Sequence, residues 1–285
     1  MAHSIVASAE AILDKEYPVL DKGFIRLVDY MGGDDRIVQA ARVSYGEGTK
    51  TVREDAGLIR YLLRNEHTSP FEQVVFTFHA KMPVFVARQW VRHRTARLNE
   101  ISGRYSVMKD EFYLPEAEKV ASQSTDNKQG RNDEPVSPKE AAEIIATLEQ
   151  GQQVAYHSYQ QLIGHGLARE LARINLPLSM YTEWYWQIDL HNLLHFLRLR
   201  LDPHAQYEIR AYAEIMLEIA KKVCPLAVEA FEEHRRGAVS FSAREFAALQ
   251  AMLAGKSSED AMEEEGLEGR DAQRFLAKLE DGRQL

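Results

Sequence analysis

At 285 residues, with 45% hydrophobic and 27% charged residues, the chain has a globular composition and enough length for one large or two ordinary domains. Its formal net charge of -8 argues against a broad nucleic-acid-binding surface, which needs excess positive charge. No run of about 18 apolar residues predicts a membrane span, the N-terminal stretch MAHSIVASAEAILDKEYPVLD lacks the pattern of a signal peptide, and a single cysteine, Cys224, excludes an intramolecular disulfide and fits a reducing cytoplasm.

Residues 23–31, GFIRLVDYM, alternate as a strand does, and the following Gly-Gly-Asp-Asp predicts a turn and a cap opening a helix through about Ser44. The GEGTK loop at 46–50 lacks the ending and length of a phosphate-binding P-loop. Within 53–65, Leu58, Ile59, Leu62 and Leu63 mark an amphipathic helix. A loop carrying His67, Ser69 and Glu72, held by Pro70, leads into a half-buried strand in which Val74, Phe76, Phe78 and Ala80 alternate with Val75, Thr77, His79 and Lys81.

Pro83 starts a helix, PVFVARQWVRHR, that delivers the most concentrated chemistry of the chain. Arg88, Arg92, His93, Arg94, Arg97 and Arg104 fall within seventeen residues, opposed only by Glu100 and interleaved with Gln89, Trp90, Asn99, Ser102, Gly103 and Tyr105. Arginine forks suit phosphate and polarised carbonyl oxygens, and Gly103 permits close backbone approach. A solvated, salt-bridged face is the bland alternative, and the dipole at the helix C-terminus already favours cations there.

Residues 116–138 are polar and aperiodic and predict a mobile excursion. From Pro138 to Leu171 the pattern is helical. In 190–201, Leu190, Leu193, Leu194, Leu197 and Leu201 bury one helix face, with His191 and His195 one turn apart and Arg200 predicted to point away from them, so that the helix serves two sites or an interface. Asp202-Pro203 predicts a cap and first turn of a helix through about Val223. The division expected is a catalytic domain over 1–236 and a helical extension over 237–285, opened by a capping box of Ser242 and Glu245 and containing two or three short helices.

The His191–His195 pair has metal-ligand spacing but no third partner, and no metal is expected. Cys224, beside Pro225 in an apolar setting, has the surroundings of a buried thiol, and Ser102 lacks a nucleophile elbow. Spacing alone supports an anion site, with Arg173 and Arg200 as further contributors, in a nucleotide or phosphorylated-substrate enzyme. Two alternatives stand beside it: a nucleic-acid-binding regulator using residues 88–104, and a metal-dependent nucleotide hydrolase using the histidine pair.

Arg92-His93-Arg94, seven residues, then Ser102 resembles the RHR-x7-S signature of the flavin-dependent thymidylate synthases. The flanks are similar as well: AARVSYG at 40–46, HTSPFEQVVFTFH at 67–79, PVFVARQW, NEISGRYS and LRLRLDPHAQYEI at 197–209, spanning about residues 20–235, with 237–285 outside the resemblance. The resemblance implies an α+β fold with a mixed sheet and long helices, assembled as a homotetramer with active sites shared between subunits. It implies reductive methylation of dUMP to dTMP, with methylenetetrahydrofolate supplying carbon, FAD carrying hydride and NADPH reducing the flavin. Carried over residue by residue, Gln89, Arg92, Glu100, Ser102, Gly103, Arg104, Arg173 and Arg200 would contact dUMP, with Arg200 stabilising charge on the pyrimidine. Ser69, Arg92, His93, Arg94, Glu100, Asp189, His191 and His195 would surround FAD, with Ser44, His67 and Glu72 as weaker candidates. Arg97 stands where other members often have Ser, and Asp189, His191 and His195 where some have Asn and Arg. From charge and hydropathy, neither a nucleic-acid nor a membrane partner is expected.

Overall fold

A computed structural model describes residues 4–43, 52–125 and 130–281, so Ser44 and the GEGTK loop lie outside the described residues. The chain divides into two compact units, Met1–Val228 and Glu229–Leu285.

The first unit is built on a five-stranded sheet in the order β1 (Glu16–Val19), β2 (Gly23–Met31), β3 (Val75–Pro83), β7 (Tyr181–Asp189), β4 (Arg97–Glu100). Every pairing is antiparallel, so the α+β class holds while the expected mixed sheet does not. The register of β3 on β7 runs from Val75 opposite Asp189 to Pro83 opposite Tyr181. Because side chains alternate across a strand, this places Phe76, Phe78, Trp184, Trp186 and Ile188 on one buried face. The other face carries Thr77, His79, Tyr185 and Gln187, where the His79 ring stacks on the half-exposed Tyr185 ring at 4.8 Å.

Around the sheet run α1 (Ala7–Glu10), α2 (Asp34–Ala41), α3 (Val52–Arg64), α4 (Val84–Trp90), α5 (Pro138–Gly164), α6 (Arg169–Ala172), α7 (Leu190–Arg200) and α8 (Tyr207–Val223), with α9 (Pro225–Phe231) after Cys224. The leucine stripe of α7 is buried as its spacing predicts. Three boundaries differ from expectation. The cap of α2 is Gly33, with no side-chain bond, while the Asp34 carboxylate reaches across to accept from the backbone N–H groups of Leu226 and Ala227 at 2.8 and 3.0 Å. Asp202 caps no helix; it accepts from the His204 N–H at 2.8 Å in a turn, and α8 starts at Tyr207. Residues 116–138 hold a two-stranded hairpin, β5 (Ala121–Gln123) with β6 (Arg131–Pro135), anchored by Arg131, whose Nη1 donates to the Lys119 carbonyl at 2.7 Å. Polar strand residues hid that hairpin from a hydrophobic pattern.

Trp90, the last residue of α4, is fully buried at the centre of the core. Its ring centroid lies 5.4 Å from Trp184, 5.3 Å from Trp186, 5.2 Å from Phe196 and 5.8 Å from Tyr212, joining α4, β7, α7 and α8. A second cluster of Met108, Phe112, Tyr159, Ala172 and Met180 packs the long α5 against the loop after β4 and the segment before β7. There the Tyr159 hydroxyl accepts from Met108 N–H at 2.9 Å, and Gln152 donates to the Tyr113 carbonyl at 2.9 Å.

The second unit contains α10 (Ala243–Leu253), α11 (Ser258–Glu264) and α12 (Gly269–Asp281) around Ala248, Ala261, Leu267 and Phe275. The Ser242–Glu245 capping box is present as expected, and Glu245 also accepts from Lys278 at 2.6 Å, tying α10 to α12. Gly255, with φ +99, closes α10 in a conformation that suits glycine.

Trp90→Ala is expected to lower stability by about 3–5 kcal/mol, the range for removing a large buried aromatic side chain. Urea unfolding checks it; a loss below about 1 kcal/mol would show that the cluster collapses around the gap.

Candidate functional site

Two groups of the expected residues stand at different ends of β7. The first surrounds a cavity of about 470 Å³ lined by Arg92, His93, Arg94, Thr95, Ile188, His191, Asn192, His195, Leu199 and Arg200. Arg92 to Thr95 enter it because Trp90 pins the end of α4 and the chain then turns out of the helix at Val91. Opposite them, α7 presents His191 and His195 on successive turns. Arg200, the last residue of α7, lines the same cavity, which corrects the expectation that it points away to a separate site.

Arg200 is held from two directions. Its Nε donates to His93 Nε2 at 3.1 Å, and its Nη2 donates to the Gln89 carbonyl at 3.2 Å. To accept from a guanidinium, His93 Nε2 must be unprotonated. Consistently, burial pushes the His93 pKa down to about 4, reinforced by the charges of Arg200 and His195. His195 is lowered as well, by burial, Arg198 and His191. The Arg200 guanidinium is lowered by burial and by Arg92, although it stays charged at neutral pH. The cavity therefore presents the permanent positive charges of Arg92, Arg94 and Arg200 beside the neutral imidazole of His93, a donor set suited to an anionic ligand. This charge balance fits a flavin dinucleotide, whose pyrophosphate is anionic. Among the described residues no three His, Cys, Asp or Glu side chains converge as a metal-binding set.

The second group lies beyond β4. Glu100 accepts from the Thr182 hydroxyl at 2.6 Å, and Ile101 N–H donates to the Glu183 carbonyl at 2.9 Å. Gly103 is buried beneath Arg173. A Cβ there would lie 2.7 Å from the Met108 sulfur and 3.1 Å from both Cδ and Nη1 of Arg173, so glycine leaves the room that the Met108 and Arg173 side chains fill. Arg104 pairs with Glu170 at 3.0 Å, and its N–H donates to Ser102 Oγ at 3.3 Å. Ser102, Gly103, Arg104 and Arg173 thus converge as a second polar cluster. None of them lines the first cavity. Ile188 and Glu183 mark the two groups on β7, and five steps along the strand separate them by about 17 Å.

Not every expected residue joins a group. Asp189 caps α7, accepting from Asn192 N–H at 2.9 Å and from the Asn192 side chain at 2.8 Å. Ser69, His67 and Glu72 sit exposed on the loop before β3 and do not line the cavity; Glu72 accepts from Thr68 at 3.2 Å and the His67 ring meets Tyr61 edge-on. Arg97 donates to Gln187 at 3.2 Å across the β4–β7 pair. Cys224 is fully buried, and burial pushes its thiol well up, which leaves it no nucleophilic role. Thr95, Asn192 and Leu199 line the cavity without having been singled out; Asn192 carried a signal, since it precedes His195 by three residues on one helical face.

The chain matches the family described as "Thymidylate synthase complementing protein" over residues 26–226. Residues 239–285 match "Thymidylate synthase ThyX C-terminal domain", which corrects the expectation that this extension lies outside the family resemblance. The flavin-dependent thymidylate synthase of Treponema denticola is 64% identical over 273 residues, covering 96% of this chain and all of that one. The protein of the same name from Gluconobacter oxydans is 53% identical, covering 96% of this chain and 91% of that one. Among solved structures, a UMP/dUMP methylase, PolB from Streptomyces cacaoi bound with 5-Br dUMP, aligns with a TM-score of 0.71 at 34% identity, covering 77% of this chain and 99% of that one. Full-length identity at this level, together with Arg92, His93 and Arg94 of the RHR-x7-S pattern lining a cationic cavity, means that the chain belongs to the flavin-dependent thymidylate synthase family.

Proposed function

We propose that the protein converts dUMP to dTMP with methylenetetrahydrofolate as carbon donor, FAD as the flavin and NADPH as reductant, in the cytoplasm, as a homotetramer whose active sites are shared between subunits. The observation that carries the reading is Arg200, fixed by neutral His93 and the Gln89 carbonyl at the edge of a cavity lined by Arg92, His93 and Arg94. FAD, when bound, supplies hydride transfer. Arg92, Arg94, His191 and His195 would hold it, the arginines facing its phosphates. Arg200 keeps N–H donors beyond the two the chain occupies, and these would stabilise negative charge building on the pyrimidine.

Ser102, Gly103, Arg104 and Arg173 would take the nucleotide phosphate, using a close backbone approach and two guanidinium groups. Gln89, Arg92 and Glu100 would complete the dUMP contacts, and Ser69 and Asp189 the flavin surroundings. The separation of the two polar clusters along β7 supports shared active sites: a phosphate cluster from one subunit can meet the Arg200 cavity of another. Among the described residues no helix is long and apolar enough to cross a membrane. The reading assigns neither a nucleic-acid partner nor a metal.

Purified protein is expected to be yellow, or to become so on adding FAD, and to oxidise NADPH faster with dUMP present. A visible spectrum and a stopped assay check both, and colourless protein that gains nothing from FAD contradicts the reading. Arg200→Ala is expected to stay folded and flavin-loaded while dTMP formation falls by about 100-fold or more, the size of effect seen on removing a preorganised charge-stabilising donor. Near-normal turnover would take Arg200 out of the chemistry. Ser102→Ala should weaken dUMP binding yet retain measurable turnover, whereas complete loss with dUMP still bound would point to a serine adduct.

A further inference from the structure

Gln89 is joined to a buried carboxylate that the reaction scheme does not use. Its Nε2 donates to Oε1 of Gln206, and Gln206 Nε2 donates to Glu208 Oε2 at 2.8 Å. The other oxygen of Glu208 accepts from Arg131 Nη2 at 2.8 Å and from the Tyr113 hydroxyl at 3.1 Å. The Glu208 side chain is only 4% exposed, and Arg131 reaches it from the β5–β6 hairpin.

The direction of this chain of bonds is dictated by chemistry. A carboxylate paired with arginine only accepts, so Gln206 must turn its amide N–H toward Glu208. Its carbonyl oxygen then faces Gln89, and Gln89 must in turn give up an N–H to it. What remains free at Gln89 includes the amide oxygen. The same residue offers its main-chain carbonyl to Arg200 at 3.2 Å, so one residue joins the relay to the arginine of the cavity. An unconstrained glutamine amide flips between two nearly isosteric states, and a buried ion pair removes that choice.

We propose that Glu208 is a positioning residue which, through Gln206, fixes the polarity of the Gln89 amide so that Gln89 meets the pyrimidine ring as a hydrogen-bond acceptor. An acceptor matches the N3–H of uracil and opposes the unprotonated N3 of cytosine, so the relay contributes base selectivity. The inference rests on the dUMP reading above. A purely structural Glu208 would pin the hairpin and leave selectivity untouched.

The test uses the full-length, FAD-loaded protein and measures the affinities of dUMP and dCMP through the flavin absorbance. Glu208→Gln lets residue 208 donate as well as accept, which frees the Gln206 and Gln89 amides. It is expected to retain flavin and thermal stability while the preference for dUMP over dCMP narrows by about tenfold, the cost of one mismatched buried hydrogen bond. The double variant Gln206→Glu/Glu208→Gln moves the acceptor-only group one position along the relay, forces Gln89 to donate again, and restores the preference. If Glu208→Gln does not fold, Gln206→Leu, at an exposed position, breaks the relay without touching the ion pair and narrows the preference in the same way. Unchanged preference in the folded single variant, or a double variant no better than Glu208→Gln, overturns the relay while dUMP binding by the unaltered protein stands. Failure of the unaltered protein to bind dUMP overturns the nucleotide reading and the relay together.

Discussion

The packing of Trp90 is the constraint on which the rest of the site depends. Four aromatic rings from β7, α7 and α8 meet it within 6 Å, so the C-terminus of α4 has one position relative to both the sheet and α7. Arg92 and His93 follow within three residues, and the His93 ring packs edge-on against Phe196 at 4.8 Å, a residue that also contacts Trp90. Core and site therefore share side chains. Among the described residues the buried indole N–H groups of Trp90 and Trp184 have no hydrogen-bond partner, and the aromatic packing around them offsets that cost.

That rigidity governs the electrostatics. Three arginines around one cavity repel one another, and a protonated His93 would add a fourth charge. Burial and the neighbouring Arg200 instead hold the imidazole neutral, which turns it into the acceptor that orients Arg200. The positive potential is thus directed toward the cavity rather than neutralised within the chain. A buried acid at Glu208 lies one relay away, compensated by its own Arg131 and so leaving the cavity charge undiminished.

The parts of this arrangement legible in the sequence were those with a strong period or a dense motif. The alternation of Val74, Phe76, Phe78 and Ala80, the leucine stripe of α7 and the Ser242–Glu245 capping box each carry their own local signal. The arginine stretch announced an anion site, and RHR-x7-S its family. What the chain did not announce depends on tertiary contacts. β7 reads as an aromatic run, YTEWYWQID, and β4 as charged loop, because an edge strand with four exposed residues carries no hydrophobic pattern. The inward turn of Arg200 is not legible from helical phase, which describes where a side chain leaves the backbone; a long guanidinium at a helix end reaches elsewhere. The acid in QYEIR gives no sign in sequence that its partner lies on a hairpin 77 residues earlier.

We propose that two polar clusters, held at opposite ends of β7 in each chain, form one active site by meeting across subunits. Subunit complementation tests this most directly. Arg200→Ala alters one cluster and Arg173→Ala the other, and each variant alone is expected to form little dTMP. Co-expressed and purified as mixed oligomers, they should regain activity, because some sites then receive an intact cluster from each partner. Mixed oligomers as inactive as the separate variants would contradict the claim and place the whole site within a single chain.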